Sequence, residues 1–301
     1  MRLLDAAATR SALPFDRLIP ALHAAFAAGA DVPARHHHAL PSGATLLLMP
    51  AWRPDWMGVK IVSVHPCNAA AGLPAVHATY LLSSTSTGQP VALLDGDVLT
   101  ARRTAAASAL AASFLARPDA SRLLLVGAGR VAALVAPAMR VVRGITDVAV
   151  WNPGDARGDT LVTDLRSQGF DARRVPDLDA AIAEADIVSC ATLATTPLIH
   201  GALLRPGMHL DLIGAFTPAM QEADDAAVAR ASVWIDTEAA LHECGELGSD
   251  PAVAGTLAML CQGVPGRRSA DEITLFKSVG TALEDLAAAI LVQQSQRVLS
   301  P

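Results

Sequence analysis

Cysteine is scarce and scattered in this 301-residue chain. Cys67, Cys190, Cys244 and Cys261 are the only four, and no two form a CxxC pair. A chain this long buries enough core to need no disulfide staples, so the spacing predicts four buried, reduced thiols, as in a cytoplasmic protein. Long apolar runs are also missing. Apolar runs such as residues 44–50 fall well short of the ~20 residues that a membrane span needs. Met1-Arg2-Leu3-Leu4-Asp5 lacks the apolar stretch of an export signal. Basic residues are outnumbered, 23 Lys and Arg against 29 Asp and Glu, and form no cluster, which argues against nucleic acid as a partner. With 21 Gly and 19 Pro in no period a collagen-like repeat is excluded, and 52% apolar content excludes disorder. There is no G-x-S-x-G and no cysteine beside a His-based motif, hence no evident nucleophile. His36, His37 and His38 make a poor metal site, because neighbours on a strand point to opposite faces.

What is present divides in two. Phe15, Leu18, Ile19, Leu22 and Phe26 recur at helical spacing and predict an amphipathic helix over 14–28. Apolar, β-rich runs follow at 45–49, 58–65 and 75–82, and the polar turn 83–88 leads into 90–94 as a hairpin. Residues 100–116 are Ala-rich and free of Gly and Pro, a long helix that Pro118 ends. From Arg122 strand and helix alternate: strands at 123–126, 147–151, 172–175, 187–191, 209–213 and 233–236, helices at 130–143, 155–169 and 178–184. That βαβ rhythm implies an α/β fold, a doubly wound parallel sheet of Rossmann type beside a mixed α+β domain. The junction is expected near Arg117-Pro118-Asp119, giving a dinucleotide-binding domain over 118–280. A last helix is expected over 281–296.

The sharpest local signal is Gly127-Ala128-Gly129-Arg130-Val131-Ala132, a G-x-G-x-x-A turn between a strand and a helix. Gly127 permits the turn, Gly129 lets backbone approach a pyrophosphate, Ala132 lets helix and sheet pack closely, and the helix N-terminus attracts phosphate. The second strand ends in Asn152, where an NAD enzyme usually carries an acid for the ribose 2′-hydroxyl. Asn152 would not repel a 2′-phosphate, and Arg130 or Arg157 could pair with one. The expected cofactor is therefore NADPH, with NADH the alternative. Thr192 and Gly214 follow late strands whose carboxyl ends should face the crevice, and Gly214 would let a nicotinamide ring approach. Elsewhere Arg35, Lys60 and Arg103 are cations with no acid beside them in sequence. A cation inside an apolar strand is costly unless paired, so Lys60 is either half of an ion pair or, with the arginines, a grip for a small carboxylate.

Several segments carry a wider resemblance: Gly58-Val59-Lys60-Ile61-Val62, His65-Pro66-Cys67-Asn68, Gly72-Leu73-Pro74, Thr87-Gly88-Gln89-Pro90, Leu99-Thr100-Ala101-Arg102-Arg103-Thr104-Ala105-Ala106, Gly127-Ala128-Gly129 and Ile273-Thr274-Leu275-Phe276-Lys277-Ser278-Val279-Gly280. In order and spacing the chain resembles the ornithine cyclodeaminase/mu-crystallin family over nearly its whole length. Within that family it is most similar to the Δ1-pyrroline-2-carboxylate/Δ1-piperideine-2-carboxylate reductases. The resemblance implies a homodimer formed through the β-structure of a substrate domain, and a C-terminal helix that returns to it, so that this domain comprises 1–117 and 281–301. It implies Arg35, Lys60 and Arg103 at the substrate carboxylate. It implies Thr104, Gly127, Ala128, Gly129, Val131, Asn152, Thr192 and Val279 at the dinucleotide. Two departures matter. Phe216 follows Gly214-Ala215 where the cyclodeaminases have a catalytic Asp, and Leu47 stands where they hold the substrate's distal amine with a Glu. An apolar Phe and Leu suit a small cyclic imino acid, with Phe216 against its ring. His77, where the cyclodeaminases have a Thr, is either the proton donor to the imine nitrogen or a structural histidine. Two other readings stay open: another dehydrogenase reaction of the same fold, such as reductive amination of pyruvate or N-alkyl amino acid formation, and a non-enzymatic small-molecule binder.

Overall fold

In the computed structural model, which describes residues 1–41, 43–248 and 251–298, the chain divides into two units. One is residues 1–103 with the stretch from Thr281 onward; the other is residues 104–280. The first unit opens with strand β1 (Arg2–Leu4) and helices α1 (Ala6–Ser11) and α2 (Phe15–Ala28). In α2 the stripe Phe15, Leu18, Ile19, Leu22 and Phe26 is buried, as its spacing requires. Strands β2 (His36–Ala39), β3 (Thr45–Trp52), β4 (Trp56–Val64), β5 (Val76–Ser84) and β6 (Pro90–Asp95) follow. They form a six-stranded sheet ordered β1-β6-β5-β4-β3-β2, in which only β1 runs parallel to its neighbour.

Register decides which side chains share a face. Met49, Lys60, Tyr80 and Leu94 sit opposite one another across β3–β6, and all are buried. Three residues along β4, and so on the other face, Ser63 pairs with His77 and Leu46, and Leu46 with His38. None of those four is buried, and His38 and His77 are exposed.

Helix α3 (Gly96–Leu115) contains the division, which falls at Arg103/Thr104 rather than at the Arg117-Pro118-Asp119 turn. The reason is that its second half is tied into the second unit. Ser108 donates to Asp211, Arg143 to the carbonyls of Ser113 and Ala116, and Arg267 to that of Leu115. The second unit holds eight parallel strands: β7 (Arg122–Val126), β8 (Asp147–Trp151), β9 (Asp171–Arg174), β10 (Ile187–Cys190), β11 (His209–Leu212), β12 (Ser232–Ile235), β13 (Val253–Thr256) and β14 (Thr274–Lys277). Between them lie α4 (Ala132–Arg143), α5 (Asp155–Ser167), α6 (Leu178–Glu184), α7 (Asp225–Arg230), α8 (Ala240–Glu243) and α9 (Leu257–Cys261). The order is β13-β12-β14-β11-β10-β7-β8-β9. From β7 the chain winds outward to β8 and β9, then crosses back to β10 and β11 on the other side. The topological switch, and with it the ligand crevice of such sheets, lies at the carboxyl ends of β7 and β10.

After β14 the chain re-enters the first unit as α10 (Ala282–Val298), which packs on α2 and on β3, β4 and β5. Three of the cysteines are buried, but Cys67 is exposed, on the short helical turn after β4. Among the described residues no helix is long and apolar enough to cross a membrane.

Candidate active site

Lys60 is half of an ion pair, one of the two readings open for it, and Arg103 has acids as well. Asp285, in the first turn of α10, bridges them: Lys60 Nζ lies 2.8 Å from Oδ2, and Arg103 Nε donates to Oδ1 at 2.9 Å. Arg103 also donates through a terminal nitrogen to Glu284 Oε2 at 2.7 Å. All four side chains are buried. Two cations and two carboxylates neutralise one another, which such burial demands, and a helix start favours the acids. Burial pushes the Lys60 ammonium down to about 8; the Asp285 charge pulls it back up, and the Arg103 charge lowers it further. Burial also pushes the Asp285 carboxyl up, but the charges of Lys60 and Arg103 outweigh it and hold it below the usual carboxylate range. Arg35 is half-buried one residue before β2. Continuing the register of β2 on β3 sets it opposite Met49, the partner of Lys60.

His77 does not join this group. Strand side chains alternate, and His77 is three positions from Tyr80, the residue opposite Lys60, so it lies on the other face. There it stands 4.0 Å from Asp97 and half exposed, which removes it as the proton donor to anything held by Lys60.

In the second unit the G-x-G-x-x-A turn has the expected form. Gly127 has φ +106°, and a Cβ there would stand 2.8 Å from the carbonyl oxygen of Ala191. Nothing lies within 4 Å of where a Gly129 Cβ would be, so the backbone is open to a ligand. Ala128 is half-buried and Val131 precedes α4 directly. Among the described residues no side chain caps the start of α4, which leaves its positive end to a phosphate. These features fit a dinucleotide. Asn152 closes β8 and donates its side-chain amide to the carbonyl of Gly154 at 2.7 Å. Arg130 and Arg157 are both exposed.

Gly214 has a packing reason to be glycine, apart from any nicotinamide. Its missing side chain makes room for the protein itself: a Cβ would fall 2.2 Å from Thr192 O and 2.5 Å from Glu222 Oε1. Val279 is placed by Asp236, which sequence reasoning missed. One Asp236 oxygen accepts from the Ser278 hydroxyl at 2.8 Å and from the amides of Val279 and Gly280 at 2.9 and 2.6 Å.

A model of the ornithine cyclodeaminase/mu-crystallin family matches residues 2–298. The chain belongs to that family. It is 43% identical over 261 residues to a Δ1-pyrroline-2-carboxylate reductase of Paracoccus denitrificans, with 83% of each chain covered. The solved Δ1-pyrroline-2-carboxylate reductase of Thermococcus litoralis, in complex with NADH and L-proline, is 30% identical at a TM-score of 0.94, with 99% of this chain and 98% of that chain covered. An archaeal alanine dehydrogenase dimer with bound NAD is 28% identical at a TM-score of 0.93, with 99% and 97% covered. Against this family background, Phe216 lies exposed in the loop after β11, and Leu47 sits half-buried on the Met49 face of β3. Thr104, the first residue of the second unit, is buried on α3.

Proposed function

We propose that this protein is an oxidoreductase acting on CH–NH bonds, which reduces small cyclic imino acids: Δ1-pyrroline-2-carboxylate to L-proline, or Δ1-piperideine-2-carboxylate to L-pipecolate. The observation that carries this reading is the buried Lys60–Arg103 pair, fixed from behind by Asp285 and Glu284. Side chains immobilised in this way hold a carboxylate without first paying to order themselves. Arg35 is proposed as a third cation at the substrate carboxylate. The similarity to two reductases named for Δ1-pyrroline-2-carboxylate supports it. A bound nicotinamide dinucleotide, held by Thr104, by the 127–131 turn and by Asn152, Thr192, Gly214 and Val279, supplies the hydride. The imine nitrogen must carry a proton for its carbon to accept hydride. With His77 on the wrong face, Lys60 takes that role, its ammonium acid enough at about 8 to give a proton up. Phe216 and Leu47 offer apolar surface to a ring.

The uncharged Asn152, with Arg130 and Arg157 on the same side of the sheet, favours NADPH, and NADH is the second choice. The open face of the first unit's sheet presents Val59, Ile61, Leu81 and Leu93 partly exposed. An apolar face of that kind suits a second copy of the chain, so we read the protein as a homodimer, and four free cysteines suit the cytoplasm. Initial rates of NADPH and NADH oxidation, with each imino acid and with pyruvate plus ammonia, test the reaction. Turnover on an imino acid supports it; turnover on pyruvate and ammonia alone would make it an amino acid dehydrogenase.

A further inference from the structure

Glu222 is a buried acid with four hydrogen-bond donors that the proposed reaction does not use. It is wholly inaccessible and sits in the segment between β11 and α7. Oε1 accepts the Thr192 amide and hydroxyl at 2.8 and 2.7 Å. Oε2 accepts the Gly214 and Ala215 amides at 2.8 and 3.3 Å. One carboxylate thus ties the loop after β10 to the loop after β11. Its own amide donates to Glu246 Oε1 at 2.9 Å, and Lys277 Nζ, at the end of β14, lies 3.4 Å from Glu246 Oε2. The three strand ends so linked, β10, β11 and β14, are consecutive neighbours in the sheet. They lead into Thr192, Gly214 and Val279, three of the residues read above as dinucleotide contacts.

We infer that Glu222 is a positioning residue for the dinucleotide: it makes one preformed surface of the loops after β10 and β11, and through Glu246 and Lys277 extends that surface to the end of β14. This rests on the dinucleotide reading above. The chemistry supports a full-time role. Four donors converge on two oxygens, so both are used as acceptors, and each donor is a backbone or hydroxyl group that would otherwise lose a partner inside the protein. Burial pushes the Glu222 carboxyl up to about 7, against the Lys277 charge and the hydrogen bonds from Thr192 and Gly214. A carboxylate kept in so unfavourable a place, with no cation paired to it among the described residues, marks a constraint beyond packing. Gly214 shows the same constraint from the other side, since only a glycine lets the two loops close on this oxygen pair.

Glu222→Gln keeps one acceptor but turns an NH2 group toward one of the two loops, so one loop is released. Dissociation constants for NADPH and NADH are read from nucleotide fluorescence titrations of the purified protein without imino acid. The variant is expected to bind the preferred dinucleotide at least about tenfold more weakly. Its kcat at saturating dinucleotide and its KM for the imino acid should stay within about threefold of wild type. Amide hydrogen exchange of the unliganded wild type should show Thr192 and Gly214 protected well beyond the neighbouring exposed amide of Leu193. If the variant fails to fold, that wild-type measurement decides: exchange of Thr192 and Gly214 as fast as Leu193 overturns the inference. Unchanged dinucleotide affinity in a folded variant overturns it as well, while leaving the dinucleotide reading intact. A wild-type chain that binds neither NADPH nor NADH overturns both.

Discussion

At the scale of single residues, Asp285 governs how Lys60 and Arg103 behave. The Lys60 ammonium must be charged to hold a carboxylate or donate a proton. Its pKa is lowered to about 8, so the charged form is complete below that pH and is lost as pH rises through it. The pH profile of kcat/KM for imino acid reduction should therefore fall on its alkaline side near pH 8. Asp285→Asn removes a charge that raises the Lys60 pKa, so the same limb should move to lower pH; an unmoved limb would mean that Lys60 is not the titrating group. Arg103→Lys keeps charge but loses the fork that reaches Asp285 and Glu284 together. A charged hydrogen bond is worth about 1.5–3 kcal/mol, so kcat/KM should drop roughly 10–100-fold in steady-state assays, and wild-type kinetics would remove Arg103 from the site. The cations were legible in the sequence because charge inside an apolar segment is conspicuous. Their acids were not, since chain folding alone brings Glu284 and Asp285 back to a helix 181 positions earlier. The one available signal was the pair of adjacent acids just ahead of the apolar run 286–292 of the C-terminal helix. His77 was misplaced because residue identity was weighed ahead of strand phase, although Tyr80 and Leu82 already marked the buried face.

At the scale of elements, the strand ends of the parallel sheet carry the dinucleotide reading. The turn from β7 into α4 was fully legible, because a glycine turn, an apolar strand and a helix start are all local. The packing role of Gly214 was not legible: it depends on Thr192, which only the pairing of β10 with β11 brings close. Gly214→Ala forces a methyl into the Thr192 backbone, where no rotamer can yield. It should cost about 1–3 kcal/mol in chemical denaturation and weaken dinucleotide binding; a neutral substitution would show that the loops are not closely packed. Asn152→Asp places a negative charge at the end of β8. NADPH binding should weaken while NADH is spared or improved, and an equal response of the two would take Asn152 away from the ribose. Strands β13 and β14 and the short helices α7, α8 and α9 escaped a reading by periodicity, being four to six residues long. Segments that short hold too few turns or alternations to declare a period.

At the scale of the whole molecule, the chain carries the family's fold and a subset of its chemistry. A cyclodeaminase must oxidise an amino acid, manage protons at a second amine and bind that amine as a cation. Phe216 and Leu47 can neither accept a proton nor pair with an ammonium, and stripping water from an unpartnered ammonium costs several kcal/mol. A cyclic imino acid asks only for its carboxylate to be gripped and its ring to be covered. The most direct test compares two activities in one preparation: dinucleotide-dependent reduction of Δ1-pyrroline-2-carboxylate and Δ1-piperideine-2-carboxylate, and NAD-dependent release of ammonia from L-ornithine. Imine reduction with no ammonia from ornithine is the predicted result. Stoichiometric ammonia and proline from ornithine, at a rate comparable to imine reduction, would contradict the assignment.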